Sequence, residues 1–276
     1  MNKKIRFAIS FLIVVLALTA CNQSSKTSEG DGNHFSQTEK TNAEIQPNTA
    51  AEIYAKKQVP VLCYHRIENG RNDEYTVSPA TFDAHMKALA DSGYQTINPD
   101  QYYDYLVYNK ELPEKPVMIT FDDSRVEHFT IGAPVMEKYG FRGVFFIMTI
   151  TYNKKNYMTT EQIAALSASG HSVGLHSWDH TQATKYGNDS ILKENIIEPR
   201  KKLEGIIGMP VDYFAYPYGL TDAKTTKLMN DYFKISFILS TKQDSIYPLQ
   251  TVRRMIAPEW SPKSLLHAMN KTFSRR

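Results

Sequence analysis

From residue 59 onward, short apolar runs alternate with stretches whose apolar residues recur at helical spacing. The runs at 59–65, 94–97, 117–121, 143–148, 172–175, 213–215 and 233–239 contain many β-branched and aromatic residues, and they read as buried strands. Between them the pattern predicts helices. The first starts at Ser78 as N-cap with Pro79 in its first turn, has Phe82, Met86 and Leu89 on its apolar side, and stops at Gly93. Others are predicted over 100–108, 129–139 with Gly140 as the stop, 160–168, 190–207 with Leu192, Ile196, Ile197 and Leu203 facing the core, 222–230, and 261–271. Strand and helix in alternation imply an α/β domain with a parallel sheet or barrel. The run that begins at Val117 ends in two adjacent carboxylates, Asp122 and Asp123, at the C-terminal end of a predicted interior strand. That is where α/β barrels place their chemistry.

Upstream of residue 59 the pattern changes. Lys3, Lys4 and Arg6 precede an apolar stretch over 7–18, followed by Leu18-Thr19-Ala20-Cys21. The stretch is short for a membrane span, and small residues before a cysteine resemble a bacterial lipobox, so residues 1–20 are expected to be a cleaved signal and Cys21 a lipidation site. Residues 21–55 are expected to be a flexible tether, because Asn, Gln, Ser, Thr, Glu and Gly dominate it and the large apolar residues are few; about 30 such residues reach on the order of 30 Å. Residues 56–276 form the expected catalytic domain. With Cys21 modified, Cys63 has no intramolecular partner and reads as a small buried residue. A hydrophobic share of 42% and a charged share of 22% suit a folded globular domain, and a net charge of +3 gives no electrostatic case for nucleic acid.

The carboxylate pair gains meaning from His176-Ser177-Trp178-Asp179-His180, which follows the run at 172–175. Histidines four apart share one face of a helical turn and can hold one metal ion. No Glu stands beside the first histidine, so the pair supplies ligands without a base, and the two aspartates can supply both a third ligand and the base. Two imidazoles and one carboxylate leave coordination positions for water and substrate, the arrangement of a catalytic site.

Thr120-Phe121-Asp122-Asp123, His176-Ser177 with His180, and Phe214-Ala215-Tyr216-Pro217-Tyr218-Gly219 resemble, in order, the first three motifs of the polysaccharide deacetylases (carbohydrate esterase family 4, the NodB homology domain). The resemblance spans about residues 59–256. It implies a distorted (β/α) barrel of about seven strands and a divalent metal held by Asp123, His176 and His180. It also implies Asp122 as general base, and Tyr218 with Pro217 at the substrate, the Tyr218 N–H facing the developing oxyanion. Two departures stand out. Ala215 occupies the place of an Arg that usually orients the base, and the fourth and fifth motifs survive only as letters in Glu259-Trp260 and Leu265-Leu266-His267. Leu62-Cys63-Tyr64-His65 instead resembles the branch that deacetylates the biofilm polymer poly-N-acetylglucosamine. There the opening histidine and a late arginine, here Arg253 or Arg254, replace the missing parts, with Arg254 grouped with the substrate and oxyanion residues.

The expected function is metal-dependent removal of N-acetyl groups from a polysaccharide containing N-acetylglucosamine, with Asp122 deprotonating the attacking water and His65 protonating the leaving amine. Zinc suits the ligand set, with cobalt or nickel as alternatives. The expected partners are the acetylated polymer and a membrane reached through the lipid anchor, with the chain monomeric and extracytoplasmic. Two rival readings use the same residues: an O-acetyl esterase of the acetylxylan type, and a non-catalytic carbohydrate-binding relic.

Overall fold

Thr49 starts the first described helix with a reciprocal cap: its hydroxyl accepts from the Glu52 N–H, and the Glu52 carboxylate accepts from the Thr49 N–H. The helix so started, α1 (Ala50–Ala55), buries Ile53. The expected domain boundary at residue 56 is therefore too late, since this turn already packs into the domain. The structure is a computed structural model that describes residues 46–239 and 242–274. The signal over 1–20, Cys21 and most of the tether lie outside the described residues.

After α1 come β1 (Val61–Tyr64), β2 (Arg66–Ile67), β3 (Thr76–Val77), α2 (Pro79–Asp91), β4 (Gln95–Thr96), α3 (Pro99–Tyr108) and β5 (Pro116–Phe121). Then follow α4 (Ala133–Lys138), β6 (Val144–Ile147), α5 (Thr160–Ala168), β7 (Ser172–Leu175), α6 (Asp189–Leu192) and α7 (Glu198–Ile207). The described chain ends with β8 (Tyr213–Ala215), α8 (Ala223–Met229), β9 (Ile235–Ile238), β10 (Val252–Arg253), β11 (Met255–Ile256) and α9 (Pro262–Phe273). Two helices predicted as continuous contain a widened π turn, at His128–Gly132 before α4 and at Lys193–Ile197 between α6 and α7. Each wide turn ends two residues before a proline, Pro134 or Pro199, near the start of the next helical segment. A proline has no N–H and its ring crowds the preceding turn, and the extra residue relieves both problems.

The wall is parallel throughout, in the order β10-β9-β8-β7-β6-β5-β1-β11. That makes eight strands where the sequence suggests about seven, and the seven expected are not all in it. The run at 94–97 gives β4, which pairs only with the start of β5 and stands off the wall. The segment at 251–256 supplies two strands. β10 pairs with β9 at one edge of the sheet, β11 pairs with β1 at the other, and the single residue between them is Arg254. One extended segment thus spans the gap between the edges and nearly closes the barrel.

Alternation along the strands sorts the core into two layers. Leu62, Tyr64, Val117, Ile119, Phe121, Phe145, Leu175 and Phe214 cluster with residues of α2, α4, α5, α7, α8 and α9, so this is the outer face, covered by helices. Val61, Met118, Val144, Phe146, Ala215, Ile235, Phe237 and Val252 form the other cluster, which is the barrel interior. Residues of α1 and α3, among them Ile53, Tyr102 and Leu106, join this cluster with Val59 at the N-terminal ends of the strands. The interior is therefore apolar at that end, and any opening lies at the other.

Candidate active site

The alternation that places Met118 inside also places Thr120 and Asp122 inside, two and four residues further along β5. The same parity carries Cys63 and His65 from Val61, His176 from Gly174, and Arg254 from Val252. These polar groups meet at the C-terminal ends of the strands. Asp122 still belongs to the ladder, since its N–H donates to Tyr64 O at 3.1 Å. The chain then reverses, because Asp123 and Ser124 are left-handed with φ of 74° and 59°. The turn is fastened by Ser124, whose hydroxyl accepts from the Met148 N–H at 2.7 Å and whose carbonyl accepts from Met158 N–H. This reversal lets two neighbouring carboxylates approach one centre.

Eight non-glycine residues among those described have positive φ. Three are asparagines, which tolerate it; the other five are Asp123, Ser124, Ser177, His180 and Tyr218, all at this site. Such conformations cost on the order of 1–2 kcal/mol each and persist only where the surroundings impose them. The loop at 176–180 is accordingly not the helical turn that the four-residue histidine spacing suggests. Ser177 and His180 are left-handed, and Ser177 Oγ accepts the His180 N–H at 2.9 Å, so the two imidazoles converge through an irregular loop.

Asp122 is fully enclosed. Arg254 donates to both its oxygens, Nη1 to Oδ1 and Nη2 to Oδ2, each at 2.7 Å. Cys63 donates its thiol to Oδ2 at 3.6 Å, and the imidazole Nε2 atoms of His65 and His176 each lie 3.9 Å from Oδ2. Thr120 Oγ1 accepts from Arg254 Nη1 and donates to Leu62 O. Burial pushes the Asp122 carboxyl up, but the Arg254 guanidinium, together with His176 and His65, more than reverses this and holds it well below the usual carboxylate range. This corrects the grouping of Arg254 with the substrate and oxyanion residues: its side chain is closed to solvent and committed to Asp122. It holds Asp122 from the single residue between β10 and β11, outside the motif in which Ala215 stands. Arg253 points the other way, to Gln58 Oε1 and Thr272 O.

Asp123 is treated differently. Its Oδ1 is buried without a hydrogen-bond partner, 3.5 Å from His176 Nε2 and 3.7 Å from His180 Nε2. His176 Nδ1 lies 2.7 Å from Ala215 O, so its proton belongs there and the Nε2 lone pair faces Asp123. Donors around tetrahedral zinc, with bonds of about 2.0–2.1 Å, stand about 3.4 Å apart, so the three side chains fit a metal ion. Burial raises the Asp123 carboxyl, but His176 brings it down to about 2; burial lowers His176, but Asp122 and Asp123 raise it above its ordinary value. Burial and the neighbouring His176 push His180 down to about 4. The carboxylates thus call for positive charge: they draw a proton toward His176, while His180 is held as a lone-pair donor.

His65 stands at the mouth beside Asp122, its carbonyl receiving the His128 Nε2–H at 2.6 Å. Burial lowers its pKa against the pull of Asp122. The turn Pro217–Gly219 follows β8, with Pro217 buried beneath it and Tyr218 exposed at φ 61°. Gly219 is needed there, because it too is left-handed and an added Cβ would overlap Leu239. His267 is exposed on α9, and Glu259 accepts from the Ser78 N–H, Ser78 hydroxyl and Thr81 hydroxyl at the start of α2. Of the letters that mimic the fourth and fifth motifs, Glu259 thus fastens the start of α2 and His267 faces solvent. Cys63 is buried as expected, but its thiol contact with Asp122 carries no sequence signal.

Residues 109–233 match the polysaccharide deacetylase family. YxkH of Bacillus subtilis, named for the same family, is 29% identical over 232 residues, 82% of each chain. The poly-beta-1,6-N-acetyl-D-glucosamine N-deacetylase of Staphylococcus aureus is 25% identical over 244 residues, covering 77% of this chain and 80% of that one. The structure of the Streptococcus pyogenes deacetylase PplD, solved with acetate, superimposes with a TM-score of 0.71 at 22% identity, covering 77% of this chain and 98% of that one, and so shares the fold. With motifs, barrel and relatives in agreement, the chain carries a polysaccharide deacetylase domain of the NodB type and is a deacetylase hydrolase.

Proposed function

We propose that this chain removes N-acetyl groups from a polymer of N-acetylglucosamine outside the cytoplasmic membrane, using a divalent cation held by Asp123, His176 and His180. The observation that carries the reading is the buried, unpartnered Asp123 Oδ1 between two imidazole nitrogens, directly beside a second carboxylate that Arg254 keeps ionised. The polymer is suggested by the Staphylococcus aureus relative, whose name gives that substrate. Zinc fits two imidazoles and one carboxylate best. When bound, the cation supplies Lewis acidity, which acidifies water and polarises the acetyl carbonyl.

The protein's own groups divide the proton work. Asp122 accepts the proton of the attacking water, and Arg254 fixes the orientation of its two oxygens. A carboxylate so strongly bonded is a weak base, and this makes the His65 Nε2 at 3.9 Å from Asp122 Oδ2 useful. The proton can cross from Oδ2 to His65, which is neutral before the reaction because burial lowers its pKa, and the imidazolium then protonates the leaving amine. The Tyr218 N–H stabilises the oxyanion, an effect worth about 3 kcal/mol when preorganised. Lipidation at Cys21 would hold this monomeric domain at the membrane, and a Cys21→Ser chain should leave the membrane fraction.

The test is acetate release from N-acetylglucosamine oligomers, peptidoglycan and acetylxylan, before and after chelation and with zinc restored. Release from the glucosamine series that vanishes with chelator and returns with zinc supports the reading. Undiminished release from metal-free protein, or turnover of acetylxylan alone, sinks it. His65→Ala should retain metal and lose amide turnover, while His267→Ala should behave as the unaltered chain.

A further inference from the structure

Two exposed tyrosines flank the catalytic groups, and the mechanism leaves their rings unused. Tyr75 is 40% exposed and Tyr218 is 56% exposed. Each meets a site imidazole edge-on: Tyr75 lies 5.1 Å from the His65 ring with 75° between planes, and Tyr218 lies 4.4 Å from the His180 ring with 65° between planes. An edge-on contact fixes each ring and leaves a face of it free for another partner.

Strand order places the two rings across from each other. His65 follows β1 and Tyr218 follows β8, and passing from β1 through β5, β6 and β7 to β8 crosses half of the eight-stranded wall. Asp122, His176, Asp123 and His180 lie between, linked by the short distances already given. Tyr75 is also held in place from its own backbone. Its N–H donates to Asp73 Oδ1 at 3.0 Å, and its carbonyl accepts the Arg66 N–H at 3.0 Å beside the β2–β3 pair. A polar loop from 68 to 74 thus presents one large aromatic group, at the mouth of the site.

We infer that Tyr75 and Tyr218 are stacking platforms for pyranose rings on either side of the residue being deacetylated, so that the site engages an internal stretch of polymer. The inference rests on the carbohydrate reading proposed above. A pyranose ring exposes an apolar face of C–H groups ringed by hydroxyls, and a fixed aromatic face rimmed by polar groups is its complement. Because the reacting groups lie between the tyrosines, a single sugar cannot use both, and a longer chain can.

The experiment compares kcat/KM for a hexamer and a dimer of N-acetylglucosamine, and for the corresponding acetylated xylan oligomers, in the unaltered chain, Tyr75→Ala and Tyr75→Phe. In the unaltered chain the hexamer should be the better substrate. Tyr75→Ala should lower the hexamer-to-dimer ratio about tenfold, mainly through KM, the size expected for losing one stacking contact. Tyr75→Phe keeps the ring and should keep the ratio. Equal losses on hexamer and dimer, with an altered pH profile of kcat, would mean that Tyr75 only orients His65, and would overturn the inference while leaving the deacetylase reading standing. Turnover confined to the xylan series overturns the N-acetylglucosamine reading, and the ratio in that series then decides the platforms. An unaltered, zinc-loaded chain that turns over neither series overturns both.

Discussion

Asp122 and Asp123 are neighbours in sequence, yet the fold treats them in opposite ways. Asp122 is closed to solvent and saturated, with a guanidinium on both oxygens and a thiol beside one of them. Asp123 is partly open, and it turns a buried oxygen with no partner toward two imidazoles. One carboxylate is already bonded by a guanidinium on both oxygens, and the other faces only two imidazoles. The contrast shows how a single strand end separates two jobs: the first residue stays in the ladder and inherits the interior parity, and the second leaves it through a left-handed reversal.

The largest expected effect comes from removing the unsatisfied half. His176→Ala or Asp123→Ala should abolish both bound metal and acetate release, a loss of at least about 10³-fold, measured by metal analysis alongside turnover. Full metal occupancy in either variant would mean that the two carboxylates do not differ in the way described.

The saturated half should break differently. Asp122→Asn should keep metal and lose about 10²- to 10⁴-fold in turnover, as expected for a general base. It also leaves the buried Arg254 without its counter-ion, which should destabilise the fold by about 3–5 kcal/mol. Combining it with Arg254→Met should recover much of that stability in chemical denaturation while activity stays lost. If the double variant is no more stable than the single one, Asp122 and Arg254 are not a coupled pair.

The smallest effect is a pH dependence. His65, His85, His128, His171 and His180 all have lowered pKa values in the fold, each chiefly through burial, whereas His176 alone is raised. For a histidine lowered on folding, the unfolded chain takes up a proton first, so stability falls as pH drops below the unfolded value of about 6.5. The raised His176 acts in the opposite sense, stabilising at low pH and losing that contribution as pH rises, and it is outnumbered. Metal-free protein should therefore melt at a higher temperature at pH 7 than at pH 5. Below about pH 4 the loss should steepen as the depressed Asp122 and Asp123 begin to protonate in the unfolded chain. A flat or inverted profile of Tm against pH would show that the buried histidines are not held neutral.

Much of this was legible in the sequence, and the gaps have physical causes. Periodicity locates the strands because the runs that build the wall are buried, and the adjacent aspartates, the histidine pair and the proline-tyrosine-glycine turn stand at strand ends, where a barrel opens. The helical geometry of 176–180 was misread because residue spacing cannot report that two ordinary side chains, Ser177 and His180, adopt left-handed backbone. Choosing between Arg253 and Arg254 required knowing that Val252 points inward, and the split of one short segment between two sheet edges leaves no periodic trace. Cys63 and Tyr75 escaped for related reasons: a thiol in an apolar run looks like packing, and a tyrosine in a polar loop looks like surface.

The near-closure of the barrel through Arg254 also orders events during synthesis. Asp122 is made 132 residues before the arginine that neutralises it, and that arginine arrives on the strand segment that joins the two sheet edges. Until then the emerging polypeptide carries an uncompensated charge on a strand that cannot yet be enclosed. On the reading proposed above, hydrolytic competence should await the same step that completes the wall.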